Sequence, residues 1–328
     1  MIRHRSPDRQ RGAALLAAML IVTLVATFAA AAMWQQYRAV EVEGAERTRV
    51  QSAWVLTGAL DWARLILRED ARSGGADHLA EPWSVPLQEA RLSTFLAADR
   101  NASTEGSDTE NAFLSGQIID LQSLLNVNNL LESGRISEPG LRSFQRLFDL
   151  LGLPASQLST FAENLRFASD ISTDNRSAGQ APLMPQRVEQ LVWLGLSPRT
   201  VAVLQPYVTV LPSRTPVNLN TASAEVIYAA VGGLSLADAQ RLVAERERSH
   251  FRNVSDASRL LAGHEQGFTE GTVGVASRYF EVHGRLRLDT LILDERSVVQ
   301  RDGLDVKTIY RERGVADPTA LSRQATGR

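Results

Sequence analysis

Residues 9–34 read RQRGAALLAAMLIVTLVATFAAAAMW, and this stretch decides how the rest of the chain can be arranged. A basic leader ends at Gly12, and the 22 residues from Ala13 to Trp34 carry no charge. A helix of that length spans roughly 33 Å, enough to cross a hydrocarbon core of about 30 Å. A secretory signal peptide has an apolar core of only about 7–15 residues. The stretch therefore favours a membrane anchor over a signal that is removed.

The anchor is predicted to be the first half of a longer helix. No proline occurs between Pro7 and Pro82, and the pair Gly74-Gly75 is the first strong helix breaker. Apolar residues lie on one helical face beyond the anchor, at Ala53, Leu56, Leu60, Ala63 and Leu67. We therefore expect one helix from about Ala13 to about Arg72.

Charge predicts the orientation of this helix and excludes some functions. Four arginines precede the anchor, at Arg3, Arg5, Arg9 and Arg11. Such a cluster favours a cytoplasmic N-terminus, which places the rest of the chain outside the inner membrane. The net charge is −2, and since residues 1–12 contribute +3, the remainder carries −5. An acidic body is not typical of a nucleic-acid-binding protein. The chain has no cysteine, which excludes disulfides and thiolate metal sites.

Periodicity predicts a sheet interrupted by helices. Residues 101–110 are polar and predict a loop, and residues 138–265 predict mainly helices. Strands are expected at 116–121, 277–289, 290–300 and 304–311, with Asp302-Gly303 as a turn. A single antiparallel sheet packed on the long helix, with the helical block inserted between its strands, satisfies this order.

A weak repeat inside the helical block predicts two helical hairpins. Gly195 and Gly233 lie 38 residues apart, and each is followed two positions later by a serine suited to cap a helix, Ser197 and Ser235. The second copy, with Gly232-Gly233-Leu234 and Arg246, is similar to the helix-hairpin-helix motif that holds DNA phosphates. Acidic neighbours offset its arginines, so a structural scaffold is the preferred interpretation and DNA binding the alternative.

Catalysis has little support in the sequence. The five histidines are scattered without metal-ligand spacing, and no G-x-S-x-G nucleophile turn occurs. We therefore do not expect an enzyme.

The junction around Gly12 resembles a prepilin leader, which a membrane peptidase cuts after the glycine, leaving Ala13 as the new N-terminus. Most such proteins carry glutamate at the fifth position after the cut, where this chain has Ala17. One family lacks that glutamate as a rule, the minor pseudopilin K of the type II secretion system.

Other segments resemble the same family in order along the chain. These are Trp54, Gly58 and Ala59; Gly116–Leu121; Leu125–Leu130; Leu211-Pro212; and Val217–Ala222. The resemblance implies an α+β fold with a long N-terminal transmembrane helix, a pilin-like antiparallel sheet and a large inserted all-α domain. The expected segments are a leader at 1–12, the helix at 13–75, the pilin-like core at 76–137 and 271–315, the inserted domain at 138–270 and a tail at 316–328.

The resemblance also implies a function and partners. A minor pseudopilin of this type is expected at the tip of the pseudopilus, where it helps to initiate assembly and the export of folded proteins. The implied partners are the I and J types of minor pseudopilin, the major pseudopilin, prepilin peptidase, the inner-membrane assembly platform and secreted substrates, but no nucleic acid. A membrane-anchored DNA-uptake protein is the alternative.

Calcium is the one cofactor that the resemblance suggests, because family members bind it in the inserted domain. Asp170, Asp174 and Asn175 supply the oxygen ligands that calcium prefers. The tryptophan, glutamate and tyrosine of the family's acidic segment are missing here, which weakens this expectation.

Overall fold

The computed structural model describes residues 8–97, 111–170, 180–261, 263–269, 271–288 and 291–315. The predicted loop at 101–110 and the tail at 316–328 lie outside these residues. The chain divides into two units, residues 1–57 and 58–328, and the division falls within the first helix.

The helices are α1 (Asp8–Ser73), α2 (Leu92–Ala97), α3 (Glu138–Leu150), α4 (Ala155–Ser169), α5 (Pro198–Leu204), α6 (Ala224–Ala230), α7 (Leu236–Arg248) and α8 (Val254–Arg259). The strands are β1 (Leu87–Arg91), β2 (Ala112–Asp120), β3 (Leu125–Asn126), β4 (Leu131–Glu132), β5 (Arg135–Ile136), β6 (Val208–Thr209), β7 (Val217–Asn218), β8 (Val273–Gly274), β9 (Tyr279–Leu288), β10 (Leu291–Asp302) and β11 (Asp305–Val315). Short 3-10 turns connect several of them.

Helix α1 confirms the long helix predicted from the sequence and runs for 66 residues. It ends where Gly74 and Gly75 take the left-handed φ values of 67° and 118°, which residues with a Cβ rarely adopt. The Gly74 N–H still donates to the Asp70 carbonyl at 3.2 Å, closing the last turn.

The main sheet has the order β1-β2-β9-β10-β11, and every neighbouring pair is antiparallel. One face of the sheet packs on the second half of α1. This core contains Leu60, Ala63, Leu67, Trp83, Phe280, Val282, Val299 and Val306. Each large apolar side chain buried there contributes about 1.5–3 kcal/mol. The predicted antiparallel sheet on a long helix is therefore confirmed.

Strand β1 was not predicted. Of its five residues, LQEAR, only Leu87 and Ala90 are half-buried, the other three are exposed, and two of them are charged. The strand lies at the edge of the sheet and pairs only with β2, with an irregularity between Leu87 and Ala90. A short edge strand that is largely solvated carries no apolar alternation that a sequence can display.

The chain between β2 and β9 forms a mainly helical region with its own apolar core. Helices α3, α4, α6 and α7 and two short parallel ladders, β3 with β6 and β7 with β8, surround this core. The largest side chains in the centre are Phe144, Phe148 and Phe161.

Both copies of the weak repeat have the same local geometry. Gly195 and Gly233 have left-handed φ values of 93° and 84°. Ser197 then caps α5 by accepting from Thr200 N, and Ser235 caps α7 by accepting from Asp238 N. The copies differ because the element before Gly195 is a 3-10 helix, whereas α6 precedes Gly233. The segment boundaries expected from the sequence stay predictions.

Candidate functional site

The first half of α1 is apolar and exposed. From Ala13 to Val40 its side chains are exposed throughout, for example Leu16 and Phe28 at 69% each. The helix is long and apolar enough to cross a membrane, and none of its most apolar window is buried within the protein. Bare apolar surface of this extent is unfavourable in water and stable in lipid or against other apolar helices.

Three predicted positions lie at the start of this helix. Gly12, Ala13 and Ala17 are all part of α1. Ala17 is exposed, and no acidic residue occurs from Ala13 to Val40. Cleavage after Gly12 stays a prediction, because the structure contains nothing that tests it.

A buried carboxylate lies where β2 leaves the sheet. Asp120 is 3% exposed, and its Oδ2 accepts hydrogen bonds from Asn218 Nδ2 (3.1 Å), Thr221 Oγ1 (2.6 Å) and Ser277 Oγ (2.7 Å). Its Oδ1 accepts from the backbone N–H of Gln122 at 2.8 Å. Burial raises the pKa of Asp120 to about 6, although the hydrogen bonds from Ser277 and Thr221 lower it. This carboxylate therefore binds together three separate segments of the chain.

Asn218 is the second member of this junction and is fully buried. Its Nδ2 lies within 3.2 Å of three acceptors, the Asp77 carbonyl, Asp120 Oδ2 and Ser277 Oγ. Its Oδ1 accepts from the backbone N–H of Asn220 at 2.9 Å. One side chain at the end of β7 thus connects the helical region with three segments of the chain: the turn before β1, the end of β2 and the residues before β9.

The asparagines that follow β2 form a second set of hydrogen bonds. Asn126 Nδ2 donates to the Ser213 carbonyl at 2.7 Å, and Asn128 Nδ2 donates to the Leu211 carbonyl at 2.5 Å. Asn129 makes a reciprocal pair with the backbone of Thr215, at 2.7 and 3.0 Å. The two sequence segments at 125–130 and 211–222 are therefore hydrogen-bonded to each other, and the second segment is also hydrogen-bonded to Asp120.

An ion pair ties the end of α1 to the sheet beside this junction. Arg301 is 8% exposed and donates to Asp70 Oδ2 at 2.6 Å, to Asp77 Oδ1 at 2.5 Å and to the Ser277 carbonyl at 2.8 Å. Asp77 Oδ2 also accepts from Ser277 N at 2.6 Å. Burial raises the pKa of Asp77 above its ordinary value, and the charge of Arg301 works against this rise. We define Asp70, Asp77, Asp120, Asn218, Ser277 and Arg301 as the polar junction.

Two family models match the helical region that this junction holds. Both describe the type II secretion system (T2SS), protein K, one over residues 123–213 and the other over residues 217–275. Type II secretion system protein K of Pseudomonas aeruginosa is 27% identical over 303 residues, with 85% of each chain covered. The protein K of Pectobacterium carotovorum is 25% identical, covering 94% of this chain and 97% of the relative.

The chain belongs to the type II secretion system protein K family.

A solved structure has a similar fold. The chain is similar to a chain of the GspK-GspI-GspJ complex from enterotoxigenic Escherichia coli, with a TM-score of 0.65 and 18% identity. The match covers 83% of this chain and 99% of the other. Protein K is a minor pseudopilin of the type II secretion system, so the resemblance inferred from the sequence is confirmed.

The sequence indicated only part of the polar junction. Its motifs include Asp120 and Asn218, but none of them includes Asp77, Ser277 or Arg301. A signal did exist for Arg301: on β10 it has the same orientation as Val299, which packs on α1, so a charged residue there requires a buried partner.

The structure does not test the predicted calcium site. Asp170 is exposed at the end of α4, whereas Asp174 and Asn175 lie outside the described residues. Asp170 belongs to no described group of three acidic or histidine side chains close enough to share an ion. Asp70, Asp77 and Glu81 lie near one another, but Arg301 already supplies a positive charge to both aspartates. Calcium binding at Asp170 stays a prediction.

The hairpin that resembles a DNA-binding motif is engaged within the protein. Gly267 packs so closely on the Gly232 carbonyl that a Cβ on Gly267 would overlap it. Arg246 donates to the carbonyls of Leu219 at 2.6 Å and Ala222 at 2.5 Å. Because these groups serve the chain's own backbone, the structure favours the scaffold interpretation, and the comparisons give the DNA-uptake alternative no support.

Proposed function

We propose that this chain is processed after Gly12, is anchored in the inner membrane with its N-terminus in the cytoplasm, and caps the tip of the pseudopilus. There it helps to initiate pseudopilus assembly and the export of folded proteins. Its body, from Gly58 onward, lies on the periplasmic side.

The observation that carries this proposal is the absence of an acidic group at Ala17. A carboxylate in an apolar phase is costly unless it is paired. The family resemblance supplies the partner in other pilin-like subunits, namely the N-terminal ammonium of a neighbouring subunit. A subunit with alanine at this position needs no neighbour of that kind, which suits the end of a filament.

The helical region supports the same position. It adds the whole stretch between β2 and β9 to the outside of a five-stranded sheet. Subunits stacked within a thin shaft must accommodate this volume at every repeat, whereas a terminal subunit does not.

The partners follow from the same proposal. The solved chain of similar fold comes from a complex with GspI and GspJ. We infer that this chain assembles with minor pseudopilins of the I and J types and joins the major pseudopilin through its exposed helix. Co-purification of the full chain with those two proteins from detergent extracts tests this inference, and loss of both under conditions that preserve the fold contradicts it.

Gold labelling of pseudopili tests the position. Wild-type protein is expected only at filament ends, and label along the shaft overturns the proposal. The variant Ala17→Glu places an acidic group at the decisive position, and Ala18→Glu provides a matched control with the same added charge one residue away. We expect Ala17→Glu, but not Ala18→Glu, to move label away from the ends.

A further inference from the structure

Two histidine rings stack where the turn after α1 meets the helical region. The ring centroids of His78 and His250 are 3.8 Å apart, and the ring planes are inclined by only 13°. His78 lies in the turn that follows α1, and His250 lies between α7 and α8. The pair is separate from the polar junction and takes no part in the function proposed above.

The backbone on each side of the pair is fixed. Next to His78, the N–H of Asp77 donates to the Val275 carbonyl at 2.8 Å. Next to His250, Phe251 exchanges two hydrogen bonds with the Asn220 side chain, at 2.8 and 2.9 Å. The two rings are therefore held face to face by buried neighbours.

The observed contacts suit neutral rings. The backbone N–H of Ala80 lies 3.3 Å from His78 Nδ1, so that nitrogen accepts and carries no proton. Two protonated rings at this distance would repel each other strongly, because little water separates stacked faces. We propose that the His78–His250 pair is a pH-sensitive contact, which holds the two turns together while the rings are neutral and opens when they take up protons.

The charges around the pair favour the neutral state of His250. Burial lowers its pKa, and the proximity of His78 and of Arg252 lowers it further. On the other side, Glu81 accepts from His78 N at 2.8 Å and from the Trp83 indole at 2.7 Å, and Asp77 is held by Arg301. A lowered folded pKa means that the unfolded chain binds more protons, so stability from this contact is complete above pH 6.5 and is lost as the pH falls below it.

Hydrogen exchange on the full chain in detergent micelles tests the proposal. The reference is the double variant His78→Phe with His250→Phe, which keeps two stacking rings that cannot be protonated. Because both proteins are compared at the same pH, the intrinsic exchange rates and the titration of other groups cancel. In peptides covering 75–81 and 249–253 we expect equal exchange at pH 7.5, and about tenfold faster exchange in the wild type at pH 5.5, since one pKa unit corresponds to tenfold.

A control and a second measurement complete the test. His264→Phe removes a histidine outside the pair and is expected to keep the wild-type pH response. A wild-type to double-variant ratio that does not change with pH overturns the proposal. If the double variant does not fold, NMR titration of the five histidines decides. The midpoint of His250 must lie below 6.5 and rise in His78→Phe, and a midpoint at or above 6.5, or one unchanged by that substitution, overturns the proposal.

Discussion

Asp120 and Asn218 are 98 positions apart in the chain and share a hydrogen bond of 3.1 Å in the buried interior. Asp120 ends a strand of the main sheet, and Asn218 belongs to a short ladder of the helical region. A buried carboxylate is stable only when its oxygens are hydrogen-bonded, so loss of either side chain leaves the other with fewer partners in the interior. The bond therefore couples the folding of the two parts.

Removal of the Asn218 side chain is predicted to destabilise the protein strongly. Asn218→Ala deletes the donor to the Asp77 carbonyl, Asp120 and Ser277 and the acceptor of the Asn220 N–H, so several buried polar groups lose a hydrogen bond. The expected loss is about 2–4 kcal/mol in the free energy of unfolding. Chemical denaturation of the full chain in detergent measures it. Asn111→Ala, at an exposed position before β2, is the matched control and should change stability by less than about 0.5 kcal/mol.

Removal of the Arg301 charge is predicted to leave Asp70 and Asp77 without their positively charged partner. Arg301→Met should cost about 3–5 kcal/mol, because breaking a buried ion pair leaves uncompensated charge. Protonation of Asp77 relieves that charge, so the variant should regain stability as the pH is lowered, and adding Asp77→Asn should restore part of the loss. Arg68→Met removes an exposed hydrogen bond to the Leu304 carbonyl and serves as control. A loss of similar size in both arginine variants would argue against a special role for the ion pair.

Asp120 is predicted to titrate far from its ordinary range. Its pKa is raised from 3.8 to about 6 by burial, so between these values the folded chain binds a proton that the unfolded chain does not. Stability from this group therefore falls as the pH rises from 3.8 to 6 and is constant above. NMR titration of ¹³C-labelled aspartates measures the midpoint. Asp305, whose pKa is lowered by the hydrogen bond from Lys307, is an internal control of opposite sign.

Processing after Gly12 is predicted to remove twelve residues in cells that contain prepilin peptidase. The mature chain should begin at Ala13, and Gly12→Leu should remain full length because the added side chain does not fit a subsite shaped for glycine. Intact-mass measurement distinguishes the two products. Gly44→Leu is a control in the same helix, where no atom lies within 4 Å of an added Cβ, and it should be processed normally. A wild-type chain that starts at Met1 would refute this prediction.

The sequence predicted the elements of the fold better than the contacts that hold them together. The long helix and the strands from Tyr279 onward were recognised because composition and periodicity are local properties. The partnership of Asp77 with Arg301 spans 224 positions, and strand periodicity, although it places Arg301 on the buried face, does not identify its partner. Strand β1 was missed for a related reason, since at a solvated edge pairing with β2 alone defines it. The repeat that resembles a DNA-binding hairpin looked ambiguous until the structure showed what its glycine turn and Arg246 contact.

Ser277 and Asp120 are 157 positions apart, yet their side chains meet at 2.7 Å. The chain therefore leaves the sheet at the end of β2 and returns to it before β9 at nearly the same point. The pairing of β2 with β9 begins beside this contact, at Asp120 and Phe280. Changes within residues 121–276 that keep this contact therefore leave the pairing of β2 with β9 in place, whereas changes at Asn218 or Arg187, which bond Asp120 and Glu312, also affect the sheet.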